Sequence, residues 1–429
     1  MKKYPKKLVI NSAITAATIV TTSTAGAAGF ALREQSAYGQ GSSFAGIAAG
    51  GAISTSFWNP ANTGEVEGSE VEGMISIIAA ETEVETTGAS NFIYAALNET
   101  GDVSGTTVIP AFYYAKEIDD KFSWGISLTV PYGTSTEADR GSRSQYVSLN
   151  AEAKSININP TVAYQLTDNL SLGLGLMFQK LDLELSRAIP IGAAAGRFSA
   201  ADPVLRIEGD GTSVGATIGL TYKDKYNAFG VGYRSSLDHD IDGSFSVAQL
   251  GINAGATLDI KTPATITLGY KRQLTDKFNL GLTLERTEWS SVGTLPVLSS
   301  ATGGIITLSG NPIAVPLNYQ DTSYYSIGGE YKYSESTTLR AGIGLDETTV
   351  SDTTRTTQLP DNDRIWLSFG FSKKLKSGLD VDFGYTYVSL DEEAVVNIGP
   401  GHSSFVGLPY TGQSDPTVHI FSLGVSKTF

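Results

Sequence analysis

The segment 170–187 places a cation at the end of an apolar face. Its apolar residues first occupy even positions, but Leu181, Leu183 and Leu185 occupy odd positions. Arg187 follows them on the same face, because residues two apart share one face of an extended strand. A guanidinium beside an apolar surface binds a carboxylate through two hydrogen bonds. Leu183, Leu185 and Arg187 are therefore candidate ligand-binding residues. The alternative is that the leucines pack against loops and that Arg187 is an ordinary surface arginine.

A second candidate site is a break in an alternating strand. Residues 122–130 alternate apolar with small side chains and then meet Pro131-Tyr132-Gly133. Proline has no N–H for a β-ladder and glycine accepts unusual backbone angles, so we expect a kink or bulge here. The alternative is that Pro131 only ends the strand where the chain enters a loop.

Catalytic, metal and nucleic-acid chemistry have no support in the sequence. It contains no cysteine, and its three histidines (His239, His402 and His419) lack metal-ligand spacing. The glycine-rich stretches lack the Lys-Ser/Thr pair of a phosphate-binding loop. The formal net charge of −14 disfavours binding to nucleic acid. We predict a protein that is not an enzyme, with no catalytic residues, no metal site and no cofactor.

The N-terminal residues divide into two segments. Residues 1–27 combine four lysines, a short apolar centre and Ala25-Gly26-Ala27, which is the pattern of a secretory signal peptide. Residues 28–64, here called the hatch, are rich in Gly, Ala and Ser and carry no charge after Glu34. Small residues let backbones approach closely, which suits a plug folded inside a cavity. The alternative is a disordered leader before an unrelated barrel.

From residue 65 onward the sequence repeats one pattern of about ten residues, in which apolar side chains alternate with small or polar ones. Such segments place one face on lipid and the other on a lumen. No stretch beyond the signal peptide is long enough for a transmembrane helix, so membrane residence requires a closed barrel. In a soluble sandwich the apolar face would instead cover a second sheet. Inward glycines and asymmetric turns weigh against that alternative.

The connections are short at one end of the strands and long at the other, as in outer-membrane barrels. The sequence predicts fourteen antiparallel strands, near 69–83, 105–118, 121–133, 143–166, 169–187, 211–223, 226–240, 262–274, 277–290, 317–333, 336–349, 363–375, 378–391 and 416–429. The last strand would pair with the first and leave no open edge. The predicted fold is all-β, a fourteen-stranded transmembrane β-barrel at 65–429 with the N-terminal hatch plugging its lumen.

Several stretches resemble a known family. The hatch opens with AGFALREQSAYGQGSSFAG and closes with Asn59-Pro60-Ala61, and LPDNDRIWLS occupies 359–368. These stretches resemble the FadL/TodX family of outer-membrane transporters of long-chain fatty acids and hydrocarbons. The resemblance implies that Pro131-Tyr132-Gly133 lies at a kink that opens the barrel wall sideways. It also implies that Arg187 aligns with a basic residue near the ligand carboxylate. Gln320 replaces the second basic group of the family, which weakens the case for a fatty acid.

The expected function is uptake of hydrophobic compounds by passive diffusion across the outer membrane of a Gram-negative bacterium. Ligand would enter at the loops 186–212 and 240–262, whose apolar runs at 189–198 and 245–258 are compatible with helices, and would leave sideways at the kink. The expected partners are a hydrophobic small molecule, outer-membrane lipid and lipopolysaccharide, with the protein as a monomer. The alternatives are a surface binding or adhesion barrel and a nonselective porin with a polar lumen.

Overall fold

The computed structural model describes residues 29–193, 196–308 and 310–429. Most of this part of the chain lies in fourteen long strands. They are β1 (Ser69–Glu81), β2 (Thr106–Asp119), β3 (Phe122–Thr129 and Gly133–Glu137), β4 (Asn150–Thr167), β5 (Leu170–Ala188), β6 (Val204–Lys223), β7 (Asn227–Arg234 and Leu237–Val247), β8 (Ile252–Thr262 and Thr265–Thr275), β9 (Phe278–Thr287), β10 (Thr322–Ser334), β11 (Thr337–Asp346), β12 (Arg364–Lys374), β13 (Asp380–Leu390) and β14 (Thr417–Thr428).

The strands are antiparallel and follow one another around a closed barrel. Closure is direct, because β1 pairs with β2 on one edge and with β14 on the other. The register of β1 with β14 runs without interruption from Glu70↔Thr428 to Glu81↔Thr417. The predicted fourteen-stranded barrel is confirmed.

The barrel wall is apolar on its outer face and small or polar on its inner face, which is the reverse of a soluble protein. Ile75 and Ile77 point outward and are 45% and 37% exposed, whereas Ser76 between them is fully buried. The same alternation places Leu174 and Leu176 outside and Gly175 inside on β5. An apolar outer face with small or polar inner residues is what a strand needs when lipid surrounds the barrel.

The connections at one end of the barrel are long and carry structure of their own. Their short strands are Glu83–Thr86, Gly101–Asp102, Thr294–Pro296, Leu298–Ser299, Thr307–Leu308, Asn311–Pro312, Ala314–Pro316, Ala394–Ile398 and Tyr410–Ser414, and their helical turns are Ser90–Ile93, Ala248–Leu250 and Trp289–Ser291. Four of these loops pack together through the rings of Tyr94, Tyr146, Phe198 and Tyr410. Long loops mark the extracellular end of an outer-membrane barrel.

The hatch fills the lumen. It contains the helical segments Ala37–Gln40, Ile47–Ala49, Ile53–Phe57 and Pro60–Glu65. Ser36 Oγ accepts a hydrogen bond from Gly39 N (3.1 Å) and Asn59 Oδ1 accepts one from Ala61 N (3.0 Å), so these side chains cap two of the segments. Nearly every described hatch residue is buried.

Glycines on the inner face of the wall let the hatch backbone lie directly against the strands. A Cβ at Gly173, Gly230 or Gly342 would overlap backbone atoms of the hatch, at Ala61, Ala48 and Ser42 respectively. Side-chain hydrogen bonds tie the same surfaces together, for example Ser43 Oγ to Ser368 Oγ (2.7 Å). The recurrent inward glycines therefore follow from close contact between plug and wall.

Some expectations about the outer part of the barrel are wrong. The run 245–258, interpreted as compatible with a helix, lies largely in the hairpin of β7 and β8. Both strands extend through most of the predicted loop 240–262, and β6 begins at Val204 rather than at 211. Conversely, β4 begins at Asn150 rather than at 143. Above the membrane the period of two persists but its polarity reverses, because outward residues such as Asp238 and Asp240 face water while Leu237 and Ile241 pack inward.

Other expectations fall partly outside the described residues. The predicted signal peptide, 1–27, lies there entirely, as does Ala28 at the start of the hatch. The run 189–198 includes residues 194 and 195, which are also outside the described part. The bounds of signal peptide, hatch and barrel remain predictions. None of the helices that the structure describes is long and apolar enough to cross a membrane.

Candidate functional site

A cavity of about 360 Å³ lies between the wall and the extracellular loops. Leu185, Leu205 and Ile207 line it from β5 and β6, and Ile313, Val315 and Ile398 line it from the loops. Its volume falls in the range of small-molecule sites, which are mostly apolar with few polar groups.

Arg187 is a cationic group of this cavity without a partner among the described residues. Its guanidinium lines the cavity and has no ion pair or hydrogen bond to any described residue. Arg143, which lines the same cavity, donates to Asn91 Oδ1 (2.7 Å) and pairs with Glu99. An arginine remains protonated in proteins, so the buried charge of Arg187 needs an anion to compensate it.

The height of Arg187 on β5 places it well outside the bilayer. Outward residues are apolar up to Phe178, but beyond it they are Lys180, Asp182 and Glu184, which form ion pairs on the surface. Since lipid contact ends near Phe178, Arg187 lies in the extracellular extension of the strand. Burial lowers the pKa of Arg187, which means that its surroundings do not favour the charge.

Tyrosines of the cavity already have partners. Tyr94 donates to the carbonyl of Pro409 (2.9 Å) and Tyr146 donates to Asp202 Oδ2 (2.6 Å). Burial, followed by the neighbouring Tyr410, raises the pKa of Tyr94 to about 12. These hydroxyls are therefore neutral near pH 7 and already engaged in hydrogen bonds.

A second, smaller cavity of about 60 Å³ continues inward from the first. Leu185, Val315 and Gln358 line both cavities, and Leu183 and Phe30 line the inner one. The structure therefore places the predicted residues Leu183, Leu185 and Arg187 along one continuous surface. Leu183 belongs to the inner cavity and Arg187 to the outer one.

An aromatic cluster closes the inner cavity. Phe30 of the hatch packs edge-on against Trp289 (4.8 Å between ring centroids) and against Tyr132 (5.6 Å). Tyr319 completes the cluster at 5.8 Å from Trp289. This cluster brings the start of the hatch into contact with the predicted kink. No sequence pattern singled out Phe30, Trp289 or Gln358, because the chain brings them together from distant positions.

The wall is broken at Pro131-Tyr132-Gly133. The ladder of β2 with β3 ends at Phe112↔Leu128, although β2 remains paired with β1 as far as Ala79↔Thr106. If the register continued, Pro110 of β2 would lie opposite Val130, the residue before Pro131. Neither Pro110 nor Pro131 has an N–H to donate across this gap. The second half of β3 pairs only with β4.

The hatch takes the place of the missing wall strand. Leu32 N donates to Pro131 O and Gly133 N donates to Phe30 O, both at 2.8 Å. Ala31 and Tyr132 thus form an isolated antiparallel bridge. The side-chain amide of Gln35 makes two hydrogen bonds to the backbone of Val130: Gln35 Nε2 donates to Val130 O, and Gln35 Oε1 accepts from Val130 N. A strand interrupted by its own sequence is therefore satisfied from inside the barrel.

The remaining predicted residues lie elsewhere. Asn59 donates to Thr221 Oγ1 (2.8 Å) and to Ala48 O (2.7 Å), and Ala61 abuts Gly173, so Asn59-Pro60-Ala61 forms the part of the hatch that rests on β5 and β6. Gln320 does not line either cavity and donates its amide to Thr348 O (3.1 Å). The structure does not bring Gln320 to Arg187, and its ligand role stays a prediction.

A lipid-facing barrel with an internal plug and a cavity that leads from outer loops toward a gap in the wall defines an outer-membrane transport protein. Residues 18–429 match the family model of outer membrane protein transport proteins (OMPP1/FadL/TodX). The chain belongs to this family, and the predicted location in the outer membrane is confirmed.

Named relatives agree with this family. The chain is 23% identical over 428 residues to the long-chain fatty acid transport protein of Escherichia coli O6:H1, covering 89% of this chain and 92% of the relative. A Pseudomonas aeruginosa FadL homologue superimposes with a TM-score of 0.82, at 22% identity and 94% and 100% coverage. The P. putida toluene transporter TodX gives a TM-score of 0.66, at 17% identity and 92% and 98% coverage. These structural likenesses concern the fold alone.

Proposed function

We propose that this protein takes up hydrophobic molecules, long-chain fatty acids or hydrocarbons, by passive diffusion through the outer membrane. The molecule enters the outer cavity, passes Leu185 and Leu183, and leaves sideways through the break at Pro131-Tyr132-Gly133 into the bilayer. The observation that carries this proposal is that two adjoining cavities, which share Leu185, Val315 and Gln358, lie beside a seam of the wall that the hatch bridges. Relatives named for fatty acid and toluene transport support the substrate class.

The alternatives fit the geometry less well. A nonselective porin needs an open aqueous lumen, whereas the hatch packs against inner-wall glycines all around the barrel. An adhesion barrel has no need of an inward cavity that ends at a gap in the wall. We propose transport without catalysis, by a monomer surrounded by lipid and lipopolysaccharide.

The direct test concerns the unpaired cation of the outer cavity. Arg187→Ala should weaken the binding of palmitate by roughly 1.5–3 kcal/mol, the scale of a hydrogen bond to a charged group. Binding of hexadecane should barely change, because an alkane makes no such bond. Isothermal titration of the purified, detergent-solubilised protein measures both.

Arg206→Ala is the matched control. Arg206 lies on β6 opposite Ser186, is exposed, and pairs with Glu184 and Glu208 (3.1 Å). Its removal should leave both affinities unchanged. An equal loss for palmitate and hexadecane in Arg187→Ala would show that the residue only supports the cavity, and the carboxylate role would have to be withdrawn.

A further inference from the structure

The inner face of β5 changes character twice between its extracellular end and the hatch. Arg187 is followed inward by Leu185, Leu183 and Leu181, and then by Gln179. Met177 comes next, followed by Gly175 and Gly173, and Gly173 contacts the hatch at Ala61. On β5, the polar residue Gln179 therefore lies between the apolar cavities and the part of the hatch that contacts Gly173.

Neighbouring strands contribute polar residues at the same level. Asn157 of β4 lies opposite Gln179, and Thr129 of β3 lies opposite Asn157. His239 of β7 is in contact with Gln179 at 3.3 Å between Nε2 atoms. At the next inward position toward the hatch, Asn159 of β4 and Thr217 of β6 both place their side-chain oxygens beside Gly175 of β5. Thr129, Asn157, Asn159, Gln179 and Thr217 are called the inner polar belt below.

The residues of the belt are buried, and many of their polar atoms lack a hydrogen-bond partner within the described part of the chain. The five residues have exposures of 0–2%. Thr129 Oγ1, both amide atoms of Asn157, Asn159 Oδ1, Gln179 Oε1 and Thr217 Oγ1 have no hydrogen-bond partner among the residues that the structure describes. Native proteins satisfy nearly all buried polar atoms, so a cluster of such atoms on one surface calls for partners, which ordered water or the head group of a passing ligand can supply.

Neither the hatch nor the kink uses these atoms. The hatch bonds the next polar residues along the same strands, as in Thr63 to Thr161 (3.0 Å) and Asn59 to Thr221 (2.8 Å). At the other border of the belt, Ser155 Oγ accepts from Tyr132 N at 2.8 Å, which ties β4 to the kink. Along β4 the belt thus lies between Thr161, which contacts the end of the hatch, and Ser155, which contacts the kink.

The chemistry of the belt selects its guest. Hydroxyl and amide groups both donate and accept, and none of the five carries a charge. They suit a neutral or weakly acidic head group such as an alcohol or a carboxyl. A plain hydrocarbon would leave the belt unsatisfied, and sites built to bond a polar group discriminate strongly against ligands that lack one.

We propose that the inner polar belt is a transit subsite that hydrogen-bonds the polar head group of the transported molecule beside the kink, so that the protein favours polar-headed amphiphiles over hydrocarbons. This inference rests on the proposed function and specifies its substrate class. The head group passes from Arg187 to the belt while the tail leaves through the wall, and its desolvation is compensated at both stops.

The test uses two uncharged probes of equal chain length, hexadecanol and hexadecane, so that the charge of Arg187 has no carboxylate to bind. Cells that make the wild-type protein should take up hexadecanol faster than hexadecane, each measured above cells without the protein. The double variant Asn157→Leu/Gln179→Leu should lower hexadecanol uptake roughly tenfold, the effect of about one lost hydrogen bond. Hexadecane uptake should stay the same or rise.

Asn150→Leu is the matched control, because Asn150 lies on the same strand and bonds Glu184 (2.7 Å) at its extracellular end. It should change neither rate. Thr129→Val keeps the branched shape and removes one belt hydroxyl, so it provides a milder variant that should still slow hexadecanol alone if the double variant fails to fold.

Three outcomes would overturn the inference. An equal fall for both probes would make the belt a structural support. Unchanged rates for both probes would mean that the belt only hydrates the lumen, while the proposed function would stand. Uptake of neither probe by the wild-type protein would remove the proposed function, and with it this subsite.

Discussion

Two seams of the same barrel wall satisfy their backbone hydrogen bonds in different ways. Between β1 and β14 the ladder is continuous to Glu81↔Thr417, so the wall completes itself. Between β2 and β3 it stops at Phe112↔Leu128, and the hatch residues Phe30 to Leu32 supply the missing hydrogen bonds. A barrel in lipid must satisfy every backbone group. The comparison shows that this requirement can be met in part by a segment of the plug instead of by a neighbouring wall strand.

The inner surfaces beside the two seams are both apolar, although the hydrogen-bond ladders of the seams differ. Ile78 and Ile420 near the closed seam and Ile109 near the broken one all point inward and are 1% exposed. They form an apolar lining together with Leu32. The wall is therefore apolar on the inside at both seams, and the two seams differ in their hydrogen bonding.

Removing the hatch should have the largest effect on this comparison. Deletion of 28–64 removes the plug and also leaves Pro131 O and Gly133 N without their hatch partners. We expect a pore that conducts ions steadily in planar bilayers, with the intact protein, which should be nearly closed, as the control. If the deletion variant inserts and its conductance remains near zero, the wall does not depend on the hatch to fill the lumen.

Repairing the broken seam should have the next largest effect. Replacing Pro131-Tyr132-Gly133 with Val-Thr-Val restores an N–H at 131 and favours a regular ladder with β2. A Cβ at 133 would lie 2.6 Å from Leu32 Cδ1, the end of a side chain that can turn aside. Uptake of labelled palmitate should fall sharply while binding at the outer cavity persists.

The control for this repair is Ile343→Val with Leu345→Val on β11, a strand paired along both edges. It should transport at the normal rate. Should the repaired protein fold, insert, bind palmitate and still transport as fast as the wild type, the sideways exit would have to be abandoned.

A single methyl group should produce the smallest effect. In Gly173→Ala the new Cβ would overlap Ala61 of the hatch, on the side of the lumen formed by β5. Overpacking of this kind costs about 1–3 kcal/mol, so the hatch should loosen and the basal ion leak should rise. Gly73→Ala on β1 is the control, because nothing lies within 4 Å of its Cβ position. Equal leak in both variants would contradict close contact between hatch and wall.

Much of this fold is readable from local sequence. The alternation of Ile75, Ser76 and Ile77 predicts a strand between lipid and lumen because the period of two is a property of the strand itself. The uncharged Gly, Ala and Ser of the hatch also predict a plug locally, because small residues let backbones approach closely. Proline and glycine at 131 and 133 likewise predict a kink, since one lacks a donor and the other tolerates a bulge.

What the sequence could not determine depends on distant residues meeting. The guanidinium of Arg187 has no ion pair among the described residues because the loops that line its cavity place no carboxylate beside it, and Gln358 lines both cavities only because its loop folds inward. The partner of the kink is Ala31, 101 residues earlier. The strands β7 and β8 continue beyond the bounds predicted from the sequence, because their hairpin stays paired as far as Val247↔Ile252. Periodicity reports the medium on each face of a strand, whereas hydrogen-bond partners across the barrel are decided only when the wall closes around the hatch.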